Sequence, residues 1–202
     1  LLETIACVLM LVAATSFGMH WYAWRRATLE HYQADAELRG LLLIALVVTG
    51  ALTLQLWAAG TFPTLGEALR HGAFQTISNL STTGFFTTGF AHWPGAAPLL
   101  LVLVAFIGGS SGSTAGGIKV ARWQMLVRQG LREVRQLVHP KGQFVVKVGG
   151  KRVSESVVIS VGGFFISYVL CYFALVLAAA ATGTDTDTAL AAIAASITNV
   201  GP

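Results

Sequence analysis

Two stretches of this chain concentrate groups able to hold a cation without a carboxylate. The run from Ser78 to Phe90, SNLSTTGFFTTGF, carries four Thr, two Ser and the glycines Gly84 and Gly89 among apolar neighbours. The run Gly108, Gly109, Ser110, Ser111, Gly112, Ser113, Thr114, Ala115, Gly116 and Gly117 holds five glycines and four hydroxyls, with Lys119 close behind. Backbone carbonyls arranged around an axis can replace the hydration shell of a monovalent cation. Gly84 permits backbone angles that other residues resist, and Thr82 adds a hydroxyl oxygen. Glycine this dense also breaks a helix, since each costs about 1 kcal/mol against Ala. On a water-facing surface the first run would be an ordinary loop, and the second would serve equally as a small-residue surface that lets helices approach closely, so the elements around them decide the reading.

Those elements belong to a membrane. Of 202 residues, 54% are hydrophobic and 11% charged, against roughly 25% charged in soluble domains. Mean hydropathy is +0.68. Four apolar stretches are read: 5–24; 41–59, covering about 28 Å at helical rise; 97–107, which meets the Gly/Ser run and resumes as a basic helix from Ile118; and 157–181. The linker after the third holds Lys119, Arg122, Arg128, Arg132, Arg135, Lys141, Lys147, Lys151 and Arg152 against Glu133 and Glu155. Arg25, Arg26 and Arg39 lie in the first linker, whose acids Glu30, Asp35 and Glu37 count for little, because orientation follows Lys and Arg. Both linkers are therefore expected in the cytoplasm, with 60–96 and the C-terminal end outside. The net charge of +4 is a topology signal, not a nucleic-acid footprint. Trp57 and Trp93 are expected at the outer interface and Trp21, Trp24 and Trp123 at the inner one. Cys7 and Cys171 read as reduced, packed thiols. The chain starts on Leu with no n-region, and the expectation is an internal piece of a longer protein without a signal peptide.

The stretch 60–96 is long for a structureless connection. Thr64-Leu65-Gly66-Glu67 has capping-box form behind Pro63, and Ala68, Leu69, Ala73, Phe74, Ile77 and Leu80 recur at helical spacing. A helix over 65–80 is too short to span, starts outside and must return outside, so it predicts a re-entrant hairpin. Non-helical backbone at membrane depth is tolerated only inside protein or beside a water-filled path. The layout then repeats at an offset of 117 residues: SNLSTTG (78–84) aligns with ASITNVG (195–201), and Asp185 and Asp187 open a second short helix over 186–197. More weakly, Gly18, His20 and Trp24 fall where Gly117, Lys119 and Trp123 fall, which makes the first span the closing helix of a preceding unit.

STTGF behind a short helix, FIGGSSGSTAGGIKVARW, a basic segment with HPK, and ITNVGP together resemble the TrkH/KtrB family of potassium transporters, related to the plant HKT proteins. The resemblance covers essentially the whole chain. It implies an all-α membrane fold of repeated span, pore helix, filter and span units of K⁺-channel type, with a broken inner helix. Residues 1–40 would close a preceding unit. Residues 41–138 would form a complete one (span 41–59, pore helix 65–80, filter 81–86, broken helix 97–138), and 139–202 the first half of the next (span 157–181, pore helix 186–197, filter 198–202). It implies ion binding by the carbonyls of Thr82, Thr83, Gly84 and Phe85, and of Thr198, Asn199, Val200 and Gly201, with K⁺ there as the only metal. It implies a gate at 108–117. Lys119 is expected to snorkel to the inner interface, with a place near the ion path as the alternative. The implied partners are K⁺ or Na⁺, membrane lipid, a second copy of the subunit, and a cytoplasmic nucleotide-binding regulatory ring; no cofactor sits on this chain.

The expected function is uptake of monovalent cations, K⁺ foremost, across a bacterial inner membrane crossed several times, without enzymatic activity. Two other classes stay in view. Gly109-Ser110-Ser111-Gly112 resembles the G-x-S-G of rhomboid-type intramembrane proteases, with Ser111 as nucleophile, but those need a histidine on a later span and 157–181 has none. A non-conducting membrane scaffold is the third class. The formal G-x-S-x-G lacks a strand–turn–helix context, no G-K-[ST] phosphate loop occurs, and the five histidines have no ligand spacing.

Overall fold

The computed structural model describes residues 1–201; Pro202, at the end of the expected second filter, lies outside the described residues. Among the described residues the regular structure is helical apart from one hairpin of two two-residue strands. Its order is α1 (Leu2–Ala14), α2 (Phe17–Arg26), α3 (Glu30–Ala34), α4 (Ala36–Ala58), α5 (Leu65–Leu80), α6 (Ala97–Ile107), α7 (Val120–Val138), β1 (Lys147–Val148), β2 (Lys151–Arg152), α8 (Glu155–Ala181) and α9 (Thr186–Thr198). The antiparallel hairpin pairs Lys147 with Arg152 and Val148 with Lys151 in the basic linker, where no strand was expected.

Helices α4 and α8 are long and apolar enough to cross a membrane. Each begins before its expected span, at Ala36 and Glu155; in α4 the polar first turn joins the helix because it is capped. Asp35 accepts the Leu38 amide at 2.7 Å, satisfying one of the orphan donors of α4. The short helix α5 has the predicted bounds, and Thr64 accepts the Glu67 amide at 3.2 Å. It packs against α4, α6 and α1, while α9 packs against α8 and α6.

Two buried clusters hold this arrangement. Leu52, Leu56, Ala68, Trp93, Ala97 and Leu101 join α4, α5 and α6 at one end. Ala14, Leu38, Leu41, Ala45, Leu80, Val104 and Val120 join α1, α4, α5, α6 and α7 at the other. Trp93, expected as an interfacial belt residue, is 7% exposed and belongs to the first cluster, edge-on to Phe62 and Phe90. Trp24, by contrast, is 81% exposed. Of the two free thiols, Cys171 is exposed, not packed.

The first apolar stretch is not one straight span. It is a bent pair, α1 and α2 meeting at 95°. Thr15 turns its hydroxyl back onto the Val12 carbonyl at 2.7 Å, and the carbonyls of Ala13 and Ala14 are bonded from elsewhere in the chain. A hydropathy window registers neither. The third stretch behaves as expected in kind: α6 ends at Ile107, and helix resumes at Val120 instead of Ile118. At 1.5 Å per residue α6 covers only about 16 Å, so it crosses no bilayer alone.

Leu52 is fully buried between α4 and its neighbours. Leu52→Ala should destabilise the protein by about 2–5 kcal/mol, seen as a lower melting temperature in detergent. An unchanged melt would show that α4 does not depend on this cluster.

Candidate functional site

The two Thr/Gly segments close on their short helices in the same way. After α5, the Thr82 amide donates to the Asn79 carbonyl at 3.1 Å and the Thr83 amide to Ser78 at 3.0 Å. After α9, the Asn199 amide donates to Ser196 at 3.2 Å and the Val200 amide to Ala195 at 3.0 Å. Every partner is displaced by the 117-residue offset read from the sequence. Dihedrals follow: φ is +50° at Thr82 and +61° at Asn199, then +78° at Gly84 and +88° at Gly201. Asn tolerates the left-handed region through its short polar side chain. For a β-branched Thr this is an outlier costing on the order of 1–3 kcal/mol, which persists only where the surroundings over-determine it.

Those surroundings are visible. Thr82 is buried, and its Oγ1 accepts the Gly116 amide at 2.6 Å. Ser81 Oγ and Thr83 Oγ1 lie 2.8 Å apart. The outgoing arm is tied to α5 by Gln75, whose amide donates to Thr88 O at 2.9 Å, and by His71 Nδ1, 3.1 Å from Thr87 Oγ1. The segments also approach each other, because a Cβ at Gly84 would fall on the Val200 carbonyl oxygen. Phe85 and Phe86 project outward, 58% and 63% exposed. Thr198, expected as the first residue of the second extended segment, is instead the last residue of α9. It is fully buried with its hydroxyl on Ala194 O at 2.7 Å.

Residues 108–117 form a closed loop under these segments. Its neck is stitched by Ile118 to Phe106 and Lys119 to Ile107, both at 2.9 Å, and by Val120 to Gly109 at 3.0 Å. The chain thus leaves α6 and returns to almost the same point, the form of a compact Ω-loop. On one side the loop reaches Thr82 through Gly116, and a Cβ on Gly116 would fall on Thr198 O. One glycine is therefore wedged between the bases of both Thr/Gly segments. On the other side Ser110 donates to Ala14 O at 2.8 Å and Thr114 to Ala13 O at 3.4 Å, while Gly112 O accepts from Phe17 at 3.1 Å. Ser113, Ala115 and Gly117 complete the turn beneath Gly116.

Lys119 does not snorkel away. With φ +81° at the N-cap of α7, it folds back so that Nζ donates to Ala115 O and lies 3.4 Å from both Ser113 O and Ser113 Oγ. The ammonium sits in the loop's own carbonyls, as a tethered cation. Ser111 is exposed and held through its amide, not its hydroxyl. That amide donates to Glu37 Oε1 at 2.5 Å, and among the described residues no histidine bonds to Ser111. Sequence reading missed Glu37, having set the linker's acids aside. It also missed the hinge in which His20 Nε2 meets Thr15 Oγ1 at 2.7 Å and His20 Nδ1 meets Tyr32 Oη at 2.6 Å. Only the weak alignment of His20 with Lys119 pointed at that place.

Two short helices hand over to matched Thr/Gly segments, above a loop that leaves and re-enters the apolar helices at one point. The chain belongs to the TrkH family of cation transport proteins, whose sequence profile matches residues 1–202. It is 40% identical over 201 residues to the Trk system potassium uptake protein TrkH of Halomonas elongata, covering 100% of this chain and 42% of that protein. It is 37% identical over 201 residues to TrkG of Escherichia coli, covering 41% of it. The crystal structure of the potassium transporter TrkH from Vibrio parahaemolyticus superposes with a TM-score of 0.95 at 38% identity, over 99% of this chain and 43% of that one. The chain thus spans less than half the length of the relatives it matches.

Thr82→Val keeps the side-chain shape but leaves the Gly116 amide without its acceptor. The expected cost is about 1–3 kcal/mol, with faster amide exchange at Gly116; Thr82→Ser should retain most of the stability. Equal melting temperatures for the Val and Ser variants would refute the bond's contribution.

Proposed function

We propose that this chain supplies part of the conduction path of a K⁺ uptake protein that crosses a bacterial inner membrane several times. Residues 41–138 form one pore unit and 139–202 begin another, with residues 1–40 closing a third. Ions enter from outside and exchange water for the carbonyls of Thr82, Thr83, Gly84 and Phe85 on one wall and of Thr198, Asn199, Val200 and Gly201 on another. They then meet the loop 108–117, which acts as the gate. The observation that carries this reading is that Thr82-Thr83-Gly84 and its equivalent at the 117-residue offset, Asn199-Val200-Gly201, lie against each other, Gly84 facing the Val200 carbonyl. The closing bonds alone are those of a common helix C-terminal motif; two unrelated surface loops would not also converge, with Gly84 against Val200 O and Gly116 against Thr198 O, whereas walls of one pore do. The Gly116 contact with both segments supports placing the gate directly beneath the filter.

The basic stretch from Arg122 to Arg152 serves as the cytoplasmic dock for a nucleotide-binding regulatory ring, and the subunit pairs with a second copy. Nucleotide binds the regulator, not this chain. Membrane lipid surrounds α8, whose side chains are largely exposed. The potassium uptake named for the relatives supports K⁺ as the ion.

Gly84→Ser places a side chain at φ +78° and against Val200 O. In the full-length protein carrying this chain, expressed in K⁺-uptake-deficient cells, Rb⁺ tracer uptake should fall at least about tenfold or lose its preference over Na⁺, given a strained backbone and a displaced carbonyl. Unchanged uptake and selectivity would remove Gly84 from the filter. Absence of uptake by the well-inserted unmodified protein would count against transport itself.

A further inference from the structure

One carboxylate outside the proposed filter ties three distant segments to a single atom. Glu37 stands in the first turn of α4, and its Oε1 accepts the Ser111 amide at 2.5 Å and the Ala121 amide at 3.1 Å. Ser111 is at the tip of the Gly/Ser loop, and Ala121 is in the first turn of α7, where amides have no intrahelical acceptor. The same seam is reinforced next door. Gln124 on α7 donates to Ala36 O at 2.8 Å, and Gly40 on α4 lies so close to Gln124 and Val120 that a Cβ there would collide with the Gln124 side chain. The base of α4 and the base of α7 therefore form one joint, with Glu37 reaching from it to the loop.

We infer that Glu37 is a latch: it holds the loop 108–117 in the arrangement seen here and transmits movement of α7 to it. This rests on the reading of the loop as a gate. The physical content is that one oxygen serves both amides. A rotation or withdrawal of α7 that carries Ala121 away from Glu37, or drags Glu37 along through the Gln124 seam, changes the side-chain bond that holds the Ser111 amide. Helix α7 can receive such a push. From its middle to its far end it exposes Val127, Leu131, Val134 and Val138 along one face, between 52% and 68% exposed, beside Arg128 and Arg135. At the other end of the loop, Gly116 bears on Thr82. A connected path therefore runs from a cytoplasmic helix through Glu37, Ser111 and Gly116 to the base of the first Thr/Gly segment. Glu37 is a positioning residue on that path; it touches no ion.

The test uses the full-length protein in liposomes, without regulator, comparing unmodified protein with Glu37→Ala and with Glu37→Gln, which keeps the shape and one acceptor. Amide exchange at Ser111 and Ala121 reads the latch, and Rb⁺ flux per inserted protein reads the gate. Exchange at both amides should rise about tenfold in Glu37→Ala, the size expected for a lost charge-assisted bond that is partly exposed, and less in Glu37→Gln. Basal Rb⁺ flux should rise severalfold, with the half-saturating Rb⁺ concentration and the Rb⁺/Na⁺ preference unchanged. A merely structural role would lower flux through loss of folded protein and would not leave affinity intact while raising the maximal rate. Unchanged exchange in both variants overturns the latch. Faster exchange with flux unchanged or reduced overturns its coupling to conduction. If the unmodified protein carries no Rb⁺, the conduction reading fails, and faster exchange in Glu37→Ala then supports the latch as a loop clamp alone.

Discussion

The structure depends on one constraint: backbone that leaves the helix inside an apolar slab must find a partner for every amide and carbonyl it exposes. The run 108–117 leaves the helix for ten residues, and its partners come from almost everywhere. Its amides are accepted by Ala14 and Ala13 of α1, Glu37 of α4 and the Thr82 hydroxyl behind α5. Its carbonyls are taken by Phe17 of α2, by Val120 of α7 and by the ammonium of Lys119. The positions of α1, α2, α4, α5 and α7 are therefore mutually determined through a segment with no regular structure of its own. The apolar clusters supply cohesion, but they do not choose this arrangement; the loop's hydrogen bonds do.

The same constraint explains the strain. Thr82 in a left-handed conformation would be poor chemistry in isolation. Here the turn after α5 is closed by Thr82 and Thr83 amides onto Asn79 and Ser78, and the hydroxyl is fixed by Gly116. Asn199 meets the same backbone demand with a side chain better suited to it, and Gly84 and Gly201 meet the next one. Sequence identity between the segments is slight because the requirement is on dihedrals and carbonyl direction. Several side chains satisfy that requirement.

This marks what could be read in advance. The short helix over 65–80, its cap at Thr64, the 117-residue offset and the break after Ile107 were legible because each rests on local chemistry: a capping side chain, a helical apolar period, a glycine run. The bend at Thr15-Ser16 was not, since the carbonyls that end α1 are bonded by Ser110 and Thr114, about a hundred positions away. Lys119 was misplaced for a related reason. A lysine at a membrane edge snorkels by default, and only the closed loop offers it a nearer set of oxygens. Trp93 was assigned to an interface by residue type, but its ring is needed to fill the space between Phe62, Phe90 and α4. Glu37 was discounted because carboxylates carry little weight in topology; its importance comes from two amides distant in sequence.

The dependence of α1 on the loop also orders the events of biogenesis. The first helix is synthesised roughly a hundred residues before the segment that bonds its last carbonyls. At typical elongation rates of about 5–20 residues per second, that leaves an interval of about 5–20 s. During this time the end of α1 and the bend into α2 lack the loop partners, Ser110, Gly112 and Thr114, that they will later keep. Through that interval Thr15 and His20 can serve the exposed backbone locally, through the Thr15 bond to Val12 and the His20 ring at 3.0 Å from the same carbonyl. The polar residues at the bend thus act as a temporary terminus, later built into a permanent joint when the loop arrives.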